Sequence, residues 1–165
     1  MTKASDDLTK LLEERHLTIS CIESATCGLI AKLLTDRSGS SAWFWGGAAT
    51  YANEAKTRIA GVDSKLLEDP KLGPISAECA MHMADGMRRL SGTDIAISVT
   101  GIAGPTGEEE GKPVGTVYYG ISSKFGPTEA TRMNFEASSR DEYRQKFASF
   151  ALKLVRQYIL NASIN

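Results

Sequence analysis

A short apolar strand runs directly into a helix near the start of this chain, and that junction limits the folds open to it. Residues 17–22 have the apolar, β-branched character of a buried strand, and helical apolar spacing covers 27–35. Ser24 lies at the break between them. Unpaired backbone N–H groups and the helix dipole stabilise an anion at such a place. The junction therefore predicts an α/β fold and a site for a nucleophile or a bound anion.

Strand and helix alternate through the first hundred residues, and a hairpin and a long amphipathic helix follow. This order predicts an α/β fold, namely a three-layer α/β/α sandwich around a mixed, mostly parallel sheet with one antiparallel hairpin strand. We expect a single domain over residues 1–165. The predicted helices cover 5–15 with Ser5 as N-cap, 27–35, 53–60, 64–68, 76–90 with Ser76 as N-cap, and a final segment that Ser139 opens; the predicted strands cover 17–22, 45–51, 94–99, 115–122 and 128–135.

Charge and cysteine usage narrow the class of partner. The net charge is −1 and the basic residues are dispersed, so neither nucleic acid nor an anionic membrane is expected as a partner. No apolar run approaches membrane-spanning length and no signal peptide is evident, which predicts a cytoplasmic protein. Cys21, Cys27 and Cys79 lack CxxC spacing and accompanying histidines, so we expect free thiols and no metal site. A small-molecule partner is the expectation.

A glycine-rich loop after the strand over 94–99 is a second candidate site. Its sequence from Thr100 through Gly101, Ala103 and Gly104 allows backbone N–H groups to approach a phosphate or a carboxamide closely. A tight surface loop that simply requires glycine is the structural alternative. Ligands of α/β sheets bind beyond the carboxyl ends of the strands, so this loop and Ser24 are expected to share one cleft.

A serine nucleophile needs a proton acceptor, and the two histidines are poorly placed to be one. His16 ends the first helix and His82 lies within an amphipathic helix. Tyr51 and Lys56 follow the second strand and are the alternatives, although a lysine acts as a base only if its surroundings lower its pKa. An ordinary surface lysine is the other interpretation of Lys56. The residues alone do not decide which of the two would accept the proton from Ser24.

Three further features have both a structural and a functional interpretation. Cys27 is a rival nucleophile, because a thiol at a helix amino terminus can have a lowered pKa, or it is a small buried filler. Arg140 and Arg144 lie in the first turns of the last helix, which favours an anionic ligand unless neighbouring acids neutralise them. The aromatic cluster at 43–45 indicates core or subunit contact, so a homo-oligomer is expected.

Six sequence blocks, in order over nearly the whole chain, resemble the CinA carboxyl-terminal domain family. They are ESATCG at 23–28, GSSAWF at 39–44, YANEAK at 51–56, TGIAGP at 100–105, KPVGTV at 112–117, and Arg140 with Arg144. Characterised members of that family hydrolyse the carboxamide of nicotinamide mononucleotide to nicotinate mononucleotide and ammonia, in pyridine-nucleotide salvage. The resemblance implies a stand-alone amidohydrolase of this kind that uses no cofactor.

The resemblance also implies roles for individual residues. Ser24 is similar to the family's nucleophile, with Lys56 and Tyr51 as its catalytic partners, and backbone N–H groups over 26–28 are expected to hold the oxyanion. Where the family has Ser-Cys-Thr-Gly-Gly, this chain has Ala25 and Cys27 at the second and fourth positions, and a catalytically altered nucleotide-binding or regulatory module is the alternative function. The implied substrate-binding or orienting residues are Thr26, Gly28, Ser41, Asn53, Thr100, Gly101, Ala103, Gly104 and Arg140, the last as a phosphate or ribose contact.

Overall fold

Five strands form one mixed sheet in the computed structural model, which describes residues 2–162. The first strand pairs in parallel with the second and the third, and the fourth pairs antiparallel with the third and the fifth. Four strands therefore point one way and the fourth points the other, which confirms the predicted mixed, mostly parallel sheet. The strands are β1 (Ile19–Glu23), β2 (Phe44–Ala49), β3 (Ile95–Gly101), β4 (Thr116–Ser123) and β5 (Glu129–Asn134), in the spatial order β2-β1-β3-β4-β5.

Six helices of the described chain cover the two faces of this sheet. They are α1 (Lys3–Glu14), α2 (Leu29–Thr35), α3 (Asn53–Ala60), α4 (Ser64–Glu68), α5 (Ala77–Ser91) and α6 (Arg140–Asn161). Helices α1, α2 and α6 pack on one face, and α3, α4 and α5 lie on the other, so two apolar clusters enclose the sheet. The three-layer α/β/α sandwich is thus confirmed. Within residues 2–162 no helix is both long and apolar enough to cross a membrane.

The central strands are buried on both faces and the edge strands are not. Every residue of β1 and β4 is buried, and so is all of β3 except its last residue, whereas exposed residues recur along β2 and β5. Helices on both faces exclude water from the middle of the sheet, which explains the largely apolar composition of 94–99. The prediction of a doubly buried strand there is confirmed.

The caps of the helices agree with the sequence at two positions and differ at one. Ser76 and Ser139 accept N–H bonds as N-caps of α5 and α6. The prediction for Ser5 was wrong, because α1 begins earlier and Thr2 is its N-cap. Ser5 is instead fully buried and donates its hydroxyl to the carbonyl of Leu33 in α2. A tertiary contact between two helices therefore accounts for this serine.

Helix α2 begins two residues later than the apolar spacing predicts. Cys27 and Gly28 have positive φ angles of 47° and 100°, which lie in the left-handed region and cannot belong to a right-handed helix. The chain thus makes a four-residue turn over 24–27 between β1 and the Gly28 N-cap. We call residues 24–27 the Ser24 loop.

Candidate functional site

The carboxylate of Glu23, at the end of β1, determines the shape of the Ser24 loop. Its side chain is buried and accepts N–H bonds from Gly28 at 2.9 Å, Ile30 at 3.1 Å and Ala31 at 2.9 Å. The Thr26 hydroxyl donates to the same carboxylate at 2.7 Å. Glu23 therefore neutralises the amino terminus of α2. The free N–H groups expected at this helix start are already occupied from within the chain.

Ser24 lies next to Lys56, which the first turns of α3 bring beneath it. The Lys56 Nζ atom lies 3.3 Å from the Ser24 Oγ atom, and it also contacts the carbonyl oxygens of Thr50 at 3.0 Å and Tyr51 at 3.3 Å. Only 2% of Lys56 is exposed, and no carboxylate among residues 2–162 forms an ion pair with it. The hydrogen-bond partners of the Lys56 Nζ atom are thus two carbonyl oxygens and one hydroxyl oxygen.

Burial lowers the pKa of Lys56, because an ammonium group loses its hydration there. The nearby Cys79 thiol acts in the opposite direction and raises the pKa of Lys56, but only when the thiol is ionised. Burial raises the pKa of Cys79 itself to about 11, so the thiol is protonated at neutral pH. The net direction for Lys56 is toward the neutral amine.

Tyr51 and Arg140 form a bridge between segments far apart in sequence. The Arg140 Nη2 atom donates to the Tyr51 hydroxyl at 2.8 Å, and Nη1 donates to the carbonyl of Gly104 at 2.6 Å. Tyr51 and Arg140 are both exposed. The bridge connects the segment before α3, the glycine-rich loop and the start of α6.

Ser24, Tyr51 and Arg140 line a cleft of about 180 Å³ at the carboxyl ends of β1 and β3, whereas Lys56 is buried beside Ser24 and does not line it. The parallel pairing of the two strands brings the Ser24 loop and the glycine-rich loop to the same edge of the sheet, as the topology predicts. A larger cavity, of about 410 Å³, lies between β5 and the end of α6 and contains none of the residues nominated from the sequence. The residues lining the smaller cleft are Ser24, Ala25, Tyr51, Ile75, Gly101, Ile102, Ala103, Thr106, Gly107 and Arg140.

Three of the residues implied by resemblance point their polar groups elsewhere. The Thr26 hydroxyl and the Gly28 N–H group both bind Glu23, so they support the loop. Thr100 is 1% exposed and donates its hydroxyl to the carbonyl of Pro74 at 2.6 Å. In the structure these groups are therefore bonded within the chain, the Gly28 N–H group included, and a contact between them and substrate stays a prediction.

Ser41 and Asn53 are also absent from the cleft lining. Ser41 lies in a short 3-10 turn before β2, and Phe44 of β2 pairs with Ile19, at the start of β1. Because the strands are parallel, Ser41 lies at the opposite end of the sheet from Ser24. Asn53, the first residue of α3, lines a separate surface cavity with residues of α4. Strand direction and the position of α3 thus keep both residues out of the cleft lining, and a binding or orienting role for either stays a prediction.

Arg144 contributes to the site through the backbone of the Ser24 loop. Its Nε atom donates to the carbonyl of Ala25 at 3.3 Å and its Nη2 atom to that of Thr26 at 2.9 Å. In the described chain, neither Arg140 nor Arg144 forms an ion pair with the acids at 141 and 142. The alternative in which these acids neutralise them does not hold.

Solvent exposure distinguishes between the interpretations of the remaining candidate residues. Cys27 is exposed, so it is not a buried filler. His16 and His82 are exposed and neither lines the cleft. Trp43 is 1% exposed and belongs to the core, whereas Trp45 is 56% exposed, and a homo-oligomer stays a prediction. Among the residues described, no group of three or more His, Cys, Asp or Glu side chains is arranged to hold a metal ion.

Sequence reasoning missed Glu23 and the cleft residues Ile75, Ile102, Thr106 and Gly107. The signal for Glu23 was a carboxylate placed just before a helix start, which is the residue type that a helix amino terminus favours. Ile75 has no comparable signal, because only the folded chain brings the segment before α5 to the cleft.

Comparison with known proteins gives one consistent assignment. The CinA C-terminal domain profile matches residues 1–159. A CinA-like protein of Geobacter sulfurreducens is 45% identical over 155 residues, covering 94% of this chain and 37% of that protein. The chain thus spans little more than a third of the length of such relatives. A nicotinamide-nucleotide amidohydrolase PncC of Enterobacter agglomerans is 40% identical over 158 residues, covering 95% of this chain and 94% of that protein.

Solved structures agree with these sequence matches. A CinA superfamily protein of Klebsiella pneumoniae superposes with a TM-score of 0.89 at 28% identity, covering 96% of each chain. The competence/damage inducible protein CihA of Agrobacterium tumefaciens superposes with a TM-score of 0.88 at 32% identity, covering 98% of each chain. The family profile extends over almost the whole chain, and the fold agrees with it. The chain therefore belongs to the CinA C-terminal domain family.

Proposed function

We propose that this chain is an amidohydrolase that converts nicotinamide mononucleotide to nicotinate mononucleotide and ammonia, with Ser24 as the nucleophile. The family membership and the PncC relative, which is matched over nearly its full length, support an amidase with a small-molecule substrate. The choice of this nucleotide, the serine mechanism and a cytoplasmic location are part of the proposal. The observation that carries it is the contact between the Lys56 Nζ atom and the Ser24 Oγ atom.

The surroundings of Lys56 suit a general base. An amine nitrogen has four tetrahedral positions, one of which is taken by its own carbon. The carbonyls of Thr50 and Tyr51 accept two N–H bonds, so in the neutral amine the remaining lone pair is directed to Ser24. Burial, which lowers the pKa of Lys56, favours this neutral form. Lys56 is therefore the better candidate base than Tyr51, whose hydroxyl binds Arg140 instead.

In the proposed reaction Ser24 Oγ attacks the carboxamide carbon while Lys56 accepts the hydroxyl proton. The N–H groups of the Ser24 loop are the candidate donors to the oxyanion, since within residues 2–162 those of Ala25, Thr26 and Cys27 have no acceptor. Lys56 then returns the proton to the departing ammonia, and the C–N bond breaks. Water then attacks the acyl carbon while Lys56 accepts a proton from it, and Lys56 returns that proton to Ser24 Oγ as the bond between Oγ and the acyl carbon breaks.

Arg140 is the candidate contact for the substrate phosphate or ribose. It lies at the mouth of the cleft, and no acidic side chain of the described chain forms an ion pair with it. Its two bonds, to Tyr51 and Gly104, leave other guanidinium N–H groups for an anion. We expect Arg140→Ala to reduce the preference for nicotinamide mononucleotide over nicotinamide riboside at least tenfold in kcat/KM.

The test is ammonia release from nicotinamide mononucleotide by the full chain, measured in a coupled assay. Ser24→Ala and Lys56→Met should each lower kcat at least about 10³-fold, because they remove the nucleophile and its base. Lys146→Met, on the exposed surface of α6, is the matched lysine control and should keep full activity. Circular dichroism should show the same secondary structure for all variants.

Two results would overturn the serine assignment or the activity. Turnover that survives in Ser24→Ala but is lost in Cys27→Ala would identify the exposed thiol as the nucleophile. Binding of nicotinamide mononucleotide by the wild type without ammonia release would favour the altered binding module instead. Release of ammonia only from another aromatic amide would keep the mechanism and change the substrate.

A further inference from the structure

The Arg144 guanidinium group forms its hydrogen bonds with the backbone of the Ser24 loop. It lies in the second turn of α6, is half-buried, and donates to two successive carbonyl groups, at 3.3 Å to Ala25 and 2.9 Å to Thr26. No acidic side chain in residues 2–162 pairs with it. Arg140, one turn earlier, contacts the cleft mouth instead. The two arginines therefore act on different parts of the site.

The two carbonyl bonds determine the direction of two N–H groups. In a trans peptide group the N–H bond points opposite to the C=O bond. The carbonyl of Ala25 shares its peptide group with the N–H of Thr26, and the carbonyl of Thr26 shares its own with the N–H of Cys27. Both N–H groups consequently point away from Arg144, and within the described chain neither has an acceptor. Arg144, together with the Leu29 N–H group that bonds the same Thr26 carbonyl at 3.4 Å, holds these two unpartnered donors in a fixed orientation.

We propose that Arg144 is a positioning residue that holds the peptide groups of the Ser24 loop so that their N–H groups receive the oxyanion formed when Ser24 attacks. This inference rests on the function proposed above. The positive charge of Arg144, which lies behind the two carbonyls, also stabilises the negative charge that develops on the oxyanion. Such stabilisation acts in the transition state and not on the bound amide, so Arg144 should affect kcat and leave KM nearly unchanged.

The test compares Arg144→Met with Lys146→Met, which removes one positive charge from the same helix without touching the loop. Loss of one oxyanion-hole donor lowers kcat by about 10²–10³-fold, so Arg144→Met should lower kcat by about 10²-fold or more with KM changed less than threefold. Arg144→Lys, which can bind one carbonyl, should recover part of this loss. Lys146→Met should match the wild type, and melting temperatures should show every variant folded at the assay temperature.

A second measurement does not depend on turnover of the amide. A fluorophosphonate forms a bond between the Ser24 oxygen and phosphorus while fluoride leaves and Lys56 accepts the hydroxyl proton. Its phosphoryl oxygen needs the same donors as the oxyanion. Labelling of Ser24, followed by intact mass with Ser24→Ala as the blank, should slow at least tenfold in Arg144→Met and remain unchanged in Lys146→Met.

The outcomes separate this inference from the proposed function. A wild type that hydrolyses no amide but labels at Ser24 in an Arg144-dependent way would refute the amidase and keep the positioning role. Hydrolysis and labelling at the wild-type rate in folded Arg144→Met would refute the positioning role alone. A rise in KM with unchanged kcat would make Arg144 a substrate contact, which also contradicts it. A wild type that neither hydrolyses nor labels would refute both.

Discussion

At the scale of single residues, the site depends on a lysine that the fold keeps without a carboxylate partner. Lys56 is 2% exposed, and the polar atoms around its Nζ atom are two carbonyls and the Ser24 hydroxyl. A carboxylate at this place would hold the ammonium form and prevent base catalysis. The chemistry proposed for Ser24 follows from the combination of burial and neutral acceptors.

The pH dependence of the reaction tests whether Lys56 is the general base. Only neutral Lys56 can accept a proton, and burial lowers its pKa from the ordinary value of 10.5. We expect kcat/KM to rise about tenfold per pH unit on the acid side of the Lys56 pKa, and to level off at a pH below 10.5. A rate profile between pH 6 and 10 measures this. A rising limb still centred near the ordinary lysine value, or a rate that falls with rising pH, would contradict the assignment.

Cys27 shows the cost of a side chain in a left-handed conformation. Its φ is 47° and its side chain is exposed, so substitutions there change backbone strain and little packing. Cys27→Gly should raise the free energy of unfolding by about 0.5 kcal/mol, since relief of strain exceeds the entropy lost by glycine. Cys27→Ala should leave the free energy of unfolding unchanged, and Cys27→Val should lower it by about 1 kcal/mol. Urea unfolding measures the series, and a valine variant as stable as the glycine variant would refute the strain.

At the scale of elements, the amino terminus of α2 is tied to β1 by a single side chain. Glu23 satisfies three N–H groups of the helix start and one hydroxyl, which places the Ser24 loop between two rigid elements. The left-handed residues at 27 and 28 allow the chain to turn sharply before the helix begins. The loop is rigid because both of its ends are held.

Glu23→Gln should therefore destabilise the protein although the side chain keeps its size. The amide nitrogen would face N–H donors where a carboxylate oxygen now accepts them, leaving at least one buried donor unsatisfied, at about 2–4 kcal/mol. Thr26→Val removes only one bond to the carboxylate and should lower the free energy of unfolding by about 1 kcal/mol. Denaturant unfolding of both variants tests this. A Glu23→Gln loss no larger than that of Thr26→Val would contradict the capping role.

Local sequence patterns predicted the elements better than their ends. The helix over 53–60 and the serine caps of α5 and α6 were predictable because they depend on neighbouring residues. The N-cap of α1 was not predictable in this way, because Ser5 is buried and donates its hydroxyl to the Leu33 carbonyl instead of capping the helix. Within the site, Ser24, Lys56 and Tyr51 were nominated by type and spacing, whereas the bonds of Thr26 and Thr100 depend on partners that spacing does not reveal.

At the scale of the whole molecule, close packing between α3 and α5 supports the layer beneath the site. A Cβ atom added to Gly86 of α5 would lie 1.9 Å from the carbonyl oxygen of Ala60, the last residue of α3. The backbones of the two helices approach this closely only because residue 86 has no side chain. The position of α3, and with it that of Lys56, depends on this contact.

Gly86→Ala should consequently lower the free energy of unfolding by about 2 kcal/mol or more. Helix propensity alone would predict the opposite, a gain of about 1 kcal/mol, so the sign of the change decides between packing and propensity. Leu90→Ala, at a position of the same helix that is 58% exposed, is the control and should change stability by less than about 0.5 kcal/mol. Thermal or urea unfolding supplies the measurement, and a stabilised Gly86→Ala would disprove the close contact.

The sequence by itself determined the order of strands and helices, the place of a serine between β1 and α2, and the candidate lysine and tyrosine, because these follow from local periodicity and residue chemistry. Only the tertiary structure decided which groups meet. Strand direction placed Ser41 at the far end of the sheet, Glu23 occupied the helix N–H groups, and α6 brought Arg144 to the loop. These contacts join residues distant in sequence, or depend on the rotation of a side chain, and neither is encoded in a local pattern.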